Sequence, residues 1–217
     1  AIRKGKIGLK RFVYADNAAT TPVSREVIDA MTPIFEEHWG NPSSLHEKGR
    51  DAKEILDDAR ARCAAVLGCR ADEIYFTSCG TEADNWAITG AARRLRAKGR
   101  DHIVTSKIEH PAVLNTCRAL EKEGFEVTYV GVDSDGVVDL AELESAVTEK
   151  TALVAIMYAN NEVGTIQPIE RITEIAHAKG ALMFTDAVQA VGNVDIDLSK
   201  LPVDMLALPG HKLHAPK

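Results

Sequence analysis

The sequence predicts an α/β fold, a mainly parallel sheet with helices on both faces, preceded by a helical segment belonging to a second, smaller domain. Three observations point there. From about residue 71 onward, short apolar runs rich in β-formers alternate with helix-length stretches, which is the pattern of βαβ units. The run ALVAIMYA at 152–159 is apolar on both alternating faces, as suits a strand covered by helices on both sides. The first 70 residues break the alternation and offer two helices but few strands.

In chain order, 12–15 reads as a short first strand closing an N-terminal leader (1–14). Helices follow over 26–38 and 50–67, joined by Gly-Asn-Pro-Ser-Ser at 40–44, a turn-forming stretch. This makes 15–70 an N-terminal helical segment with a boundary near residue 70. EIYFT at 73–77 reads as a strand, and 82–98 as a helix stopped by Gly99. HIVTS at 102–106 is a strand, 112–123 a helix ending at Gly124, and EVTYV at 126–130 a strand. Asp139 is a good N-cap for a helix over 140–147. After ALVAIMYA comes a helix over 169–179, entered through Pro168 and left at Gly180. ALMFT at 181–185 and DMLAL at 204–208 complete the strands of a large domain over 71–217.

Composition narrows the function classes. Of 217 residues, 45% are apolar and 27% charged, ordinary for a globular protein. A net charge of −6 argues against a nucleic-acid partner, and no apolar run approaches the length a membrane helix needs. The N-terminus lacks the apolar core of a secretory signal, and the basic cluster Arg3, Lys4, Lys6, Lys10 and Arg11 reads as a solvated leader. Cys63, Cys69, Cys79 and Cys117 form no C-x-x-C pair and have no His at zinc-finger spacing, so a reducing, cytoplasmic setting and no metal site are expected.

Ligands of open α/β sheets bind at the carboxyl ends of the strands. Five such ends carry chemistry here. At 77–82, TSCGTE runs from strand to helix; its backbone N–H groups make an anion site, though an ordinary N-cap at Thr81 reads as well. Glu109-His110-Pro111 offers a ring or a base, or a surface histidine. Asn160-Asn161 offers amides, or turn chemistry. Asp186 ends an apolar strand, where a carboxylate needs a cation, a donor or an N-cap role. Lys212 follows the last strand, as an amine at the same rim or as a surface lysine. Together they match one cofactor, pyridoxal phosphate. Its phosphate suits a helix N-terminus, its ring nitrogen a carboxylate, and its aldehyde a lysine that forms a Schiff base.

The motifs DNAATTPV (16–23), GNPSSLH (40–46), TSCGTEADN (77–85), EHPAV (109–113), ANNEVGT (159–165), TDAVQAVG (185–192) and GHKLHAPK (210–217) resemble those of the NifS/IscS-type cysteine desulfurases. These belong to the class V aminotransferase group of fold-type-I pyridoxal-phosphate enzymes. The resemblance runs from about Tyr14 to Lys217. It implies that Lys212 carries the cofactor, Asp186 pairs with the ring nitrogen, and His110 stacks on the ring and moves protons. It further implies that Gln189 binds the ring hydroxyl, that Gly80, Thr81 and His211 hold the phosphate, and that Asn161 lies between cofactor and substrate carboxylate. The implied reaction turns L-cysteine into L-alanine and passes sulfur to an enzyme persulfide for iron–sulfur cluster assembly. A homodimer and a scaffold or other sulfur-acceptor protein are the implied partners. The same group includes selenocysteine lyases and aminotransferases, and a non-catalytic scaffold would keep the same fold.

Two departures stand out. The family commonly has a phosphate-binding Ser two places before His211; Pro209 stands there, with neither hydroxyl nor N–H. The family's acceptor Cys and substrate-binding Arg lie well beyond the lysine, and none of the four cysteines matches that acceptor. The expectation is therefore a chain that stops soon after the cofactor lysine, without the C-terminal small domain.

Overall fold

A computed structural model describes residues 12–217; residues 1–11 of the leader expected over 1–14, with its basic cluster, lie outside the described residues. The elements are helix α1 (Arg25–Glu36), α2 (Glu47–Leu67), a single 3-10 turn (Ala71–Glu73), α3 (Gly80–Arg96), strand β1 (His102–Ser106), α4 (Pro111–Lys122), β2 (Glu126–Val130), α5 (Leu140–Ala146), β3 (Thr151–Ala155), α6 (Ile169–Ala178), β4 (Leu182–Asp186) and β5 (Met205–Ala207). The five strands form one sheet in the order β2-β1-β3-β4-β5, every pair parallel.

Helix boundaries follow the expected local chemistry. The Ser24 hydroxyl accepts the Val27 N–H at the start of α1, and the Asp139 carboxylate accepts the N–H groups of Ala141 and Glu142 at the start of α5. α2 closes on Gly68 at φ 74°, where a Cβ would meet Asp197 Oδ1 at 2.5 Å, so both backbone sign and space demand glycine.

Strand alternation sorts side chains into two cores. Val104, Val130, Val154, Ile156 and Met183 face Ile169, Ile172 and Ile175 of α6 and Leu143 of α5. Ile103, Leu153, Ala155 and Phe184 face Ile88, Ala92 and Leu95 of α3 and Val113, Cys117 and Leu120 of α4. Helices thus cover both faces, which is why ALVAIMYA carries no polar alternation. Phe184, Leu153, Ile172 and Ile88 are among the largest fully buried side chains.

Three expected strands differ. Residues 12–15 are irregular and exposed, with no strand partner among the described residues. Residues 74–77 are extended but join no ladder. Instead the Arg60 guanidinium donates to the Ile74 carbonyl at 3.3 Å and lies over the Phe76 ring, while Tyr75 meets Trp86 edge-on at 5.5 Å. β-forming residues need a neighbouring edge to become a strand, and the sheet described offers none there. The third, 152–159, is a ladder only through Ala155; its apolarity reports burial, and beyond β3 the Ile156 and Tyr158 N–H groups still bond to Phe184 and Asp186 carbonyls.

Candidate active site

The carboxyl ends of the parallel strands open into a cavity of about 410 Å³. Gly80, Thr81, His110, Asn161, Asp186, Gln189, His211 and Lys212 all line it. These eight side chains and backbones, scattered along the chain, are brought to one place by the strand ends and the loops that follow them.

Each is held by local geometry. Gly80 and Thr81 open α3 and bring its N-terminus to the cavity wall; a Cβ at Gly80 would approach Val188 Cγ2 to 3.1 Å. His110 caps α4: its Nδ1 accepts the Ala112 N–H at 3.1 Å, which assigns the ring proton to Nε2. Of the paired asparagines, Asn160 is buried and makes the turn, its Oδ1 accepting the N–H groups of Glu162 and Val163. Asn161 is thereby turned to the cavity wall, where its amide donates to Glu162 Oε1. The turn chemistry expected for this pair is supplied by Asn160, and Asn161 lines the cavity.

Asp186 ends β4, and its Oδ1 accepts the Val188 N–H at 2.9 Å. Burial raises its pKa, while that N–H and the charge of Lys212 pull it down. Lys212 is half-buried, and loss of solvation lowers its pKa against the opposing pull of Asp186. The two groups therefore sense each other across one cavity. Gln189 Nε2 donates to the Ala18 carbonyl at 3.0 Å, and His211 Nδ1 lies 3.1 Å from Thr20 Oγ1. The DNAATT segment is thus folded onto the lysine loop: the Thr21 N–H and hydroxyl both donate to the His211 carbonyl at 2.9 Å, and the Thr21 oxygen accepts the His214 N–H. His214 takes a left-handed φ of 60° in this contact. Pro209 also lines the cavity and is buried.

Sequence reasoning missed Asp84 and Glu109. Asp84 lines the cavity and is 2% exposed, with Oδ1 unpartnered among the described residues. Burial first, then the Asp186 and Glu109 charges, push its pKa up to about 8. Glu109 is 4% exposed; its Oε1 accepts the Ser106 hydroxyl at 2.6 Å and the Met157 N–H at 3.0 Å, and burial raises it to about 8. A signal for Asp84 existed: it falls one turn before Ile88 on the buried stripe of α3 that continues through Ala91, Ala92 and Leu95. Among the cysteines, burial pushes the Cys117 thiol up to about 12, whereas Cys79, exposed beside the α3 N-terminus, is lowered by the Glu82 N–H and the Ser78 hydroxyl. No metal-holding cluster occurs among the described residues.

The residues present fit pyridoxal phosphate. The cavity lining offers a helix N-terminus for an anion, a buried carboxylate with one backbone donor, and an amine of depressed pKa.

A cysteine desulfurase IscS from Methanosarcina thermophila is 54% identical over 205 residues, covering 94% of this chain and 50% of the relative. One from Dictyoglomus turgidum is 48% identical over 209 residues, covering 96% of this chain and 53% of its own length. The chain spans about half the length of the curated relatives it matches. Among solved structures, a NifS-like protein superposes with a TM-score of 0.89 at 47% identity, over 93% of this chain and 55% of that one. SspA in complex with cysteine superposes with a TM-score of 0.88 at 39% identity, over 93% and 58%. The model of the aminotransferase class-V family matches residues 13–217, and the chain belongs to that family.

Proposed function

We propose that this chain is the cofactor-binding portion of a pyridoxal-phosphate-dependent cysteine desulfurase, acting on L-cysteine to give L-alanine and a transferable sulfur. The observation that carries the reading is the gathering of a half-buried amine, a buried carboxylate, a capping histidine and a helix N-terminus around one cavity. Similarity to cysteine desulfurases over most of this chain supports the choice within the family.

In this reading the α3 N-terminus, with Gly80, Thr81 and His211, holds the phosphate; Asp186 holds the ring nitrogen; Gln189 holds the ring hydroxyl; and His110 stacks on the ring. Bound there, the cofactor supplies an electron sink for bond breaking at the substrate α-carbon. The chain supplies the rest. Lys212 would be the residue that holds the cofactor covalently and would serve as the base for the α-proton, because burial keeps a larger share of its amine neutral than an exposed lysine would have. His110 keeps Nε2–H as a donor, since Nδ1 is committed to Ala112. Asn161 orients the substrate carboxylate. The Val188 N–H and the Lys212 charge favour the carboxylate form of Asp186 against the opposing effect of burial. An iron–sulfur scaffold or other acceptor protein, a cytoplasmic setting and a homodimer belong to the same proposal.

A second reading, a scaffold that keeps the fold without turnover, is favoured by Pro209 at a phosphate-binding position. Titration with pyridoxal phosphate, followed by visible absorbance, separates the two. The desulfurase reading expects a saturable band that L-cysteine perturbs, absent in Lys212→Ala and with a weaker cysteine response in Asn161→Ala. A chain that binds no cofactor, or whose band ignores both L-cysteine and Lys212→Ala, contradicts it.

A further inference from the structure

Two carboxyl groups line the cavity, Asp84 and Asp186, and a third, Glu109, is buried within electrostatic reach of Asp84; each is no more than 5% exposed. Buried like charges at such proximity cannot all ionise, and the distribution of cations decides which do. The cationic side chain that acts on Asp186, from the loop after β5, is Lys212. The titratable groups that act on Asp84 are all acidic: Asp186 at the end of β4, Glu109 before α4, and the Cys79 thiol before α3. β3, which also packs against α3, presents Thr151 and apolar side chains and no charge. Asp84 Oδ1 is buried, unpartnered among the described residues, and belongs to a residue on the cavity wall.

We propose that Asp84 is a positioning residue that carries a proton rather than a charge beneath the cavity, so that Asp186 alone presents a carboxylate to the cofactor ring. The inference rests on the pyridoxal-phosphate reading above for its purpose, but not for its protonation state. A charged Asp84 would compete with Asp186 for the ring nitrogen and would place a second buried anion where no cation answers it. A neutral carboxylic acid costs less to bury and offers one O–H donor toward the cavity.

The test uses the ligand-free chain first. With aspartate carboxyl carbons labelled for NMR, one resonance is expected to titrate near pH 8 and to vanish in Asp84→Asn. The linkage has a definite sign: an acid whose folded pKa is raised keeps its proton while the unfolded chain loses it above about pH 4, so stability falls from there up to about pH 8. The melting temperature of wild type therefore falls more steeply across that window than that of Asp84→Asn. Parallel slopes, or an Asp84 signal that titrates with ordinary aspartates, overturn the proposal; the wild-type titration decides alone if the variant does not fold. With pyridoxal phosphate added, Asp186→Asn is expected to weaken binding by about tenfold more than Asp84→Asn does. Equal losses overturn the proposal as well. Failure of wild type to bind the cofactor contradicts the functional reading, while the carboxyl titration still judges Asp84.

Discussion

Lys212 shows how burial sets chemistry at the scale of one residue. Loss of solvation lowers its pKa and the Asp186 carboxylate raises it, with burial the larger influence. Competitive acetylation of the chain should label Lys212 with a midpoint below that of surface lysines such as Lys150, and Asp186→Asn should move the midpoint lower still by removing the opposing anion. A midpoint that rises in Asp186→Asn contradicts the arrangement. Pro209 is the second informative residue. It brings no donor to the cavity where a serine would bring a hydroxyl, and a hydrogen bond to a charged group contributes about 1.5–3 kcal/mol. Pro209→Ser should therefore tighten pyridoxal phosphate binding by roughly tenfold, measured by equilibrium dialysis; unchanged affinity would mean that α3 already saturates the phosphate.

Among the elements, the sheet is held by more than its ladders. His102 on β1 spans its two neighbours, Nδ1 2.9 Å from Thr151 Oγ1 on β3 and Nε2 2.9 Å from Thr128 Oγ1 on β2. Burial lowers its pKa, so the folded chain resists a proton that the unfolded chain accepts below about pH 6.5. Stability contributed by neutral His102 is present above that value and lost as pH falls. Acid unfolding followed by circular dichroism should show a shallower fall in His102→Gln than in wild type. Phe184, at the centre of the α3–α4 face, tests the core: Phe184→Ala should cost about 3–5 kcal/mol by denaturant unfolding.

The elements also show what was legible in the sequence. β1 and β2 were readable to the residue because HIVTS and EVTYV are bounded by turn signals and their partners are close in sequence. The run at 73–77 has equal strand propensity but no neighbouring edge, and propensity cannot supply a partner. Within the site, the motif residues stood out because each follows a strand. Asp84 did not, because a helix-interior aspartate beside Asn85 and Glu82 reads as solvated until its place on the buried stripe is counted. Glu109 was hidden by its neighbour: His110 drew the chemistry, while the glutamate turned inward to the Met157 N–H.

For the whole molecule, the organising fact is the parallel sheet. Five parallel strands send their carboxyl ends to one rim, and the loops that leave them meet the DNAATT segment returning from the N-terminal side. Because the site is assembled from both ends of the chain, filling it should stabilise the entire fold. At a cofactor concentration of 100 Kd, linkage gives about 2.7 kcal/mol, which should appear as a raised melting temperature that Lys212→Ala largely loses. The most direct measurement is chemical: incubate the chain with pyridoxal phosphate, fix any adduct with borohydride, and map the modified peptide. The account predicts one predominant label, on Lys212, at a stoichiometry that falls when Asp186 is replaced by alanine. Label spread over surface lysines such as Lys107 and Lys150, with Lys212 unmodified, would contradict it.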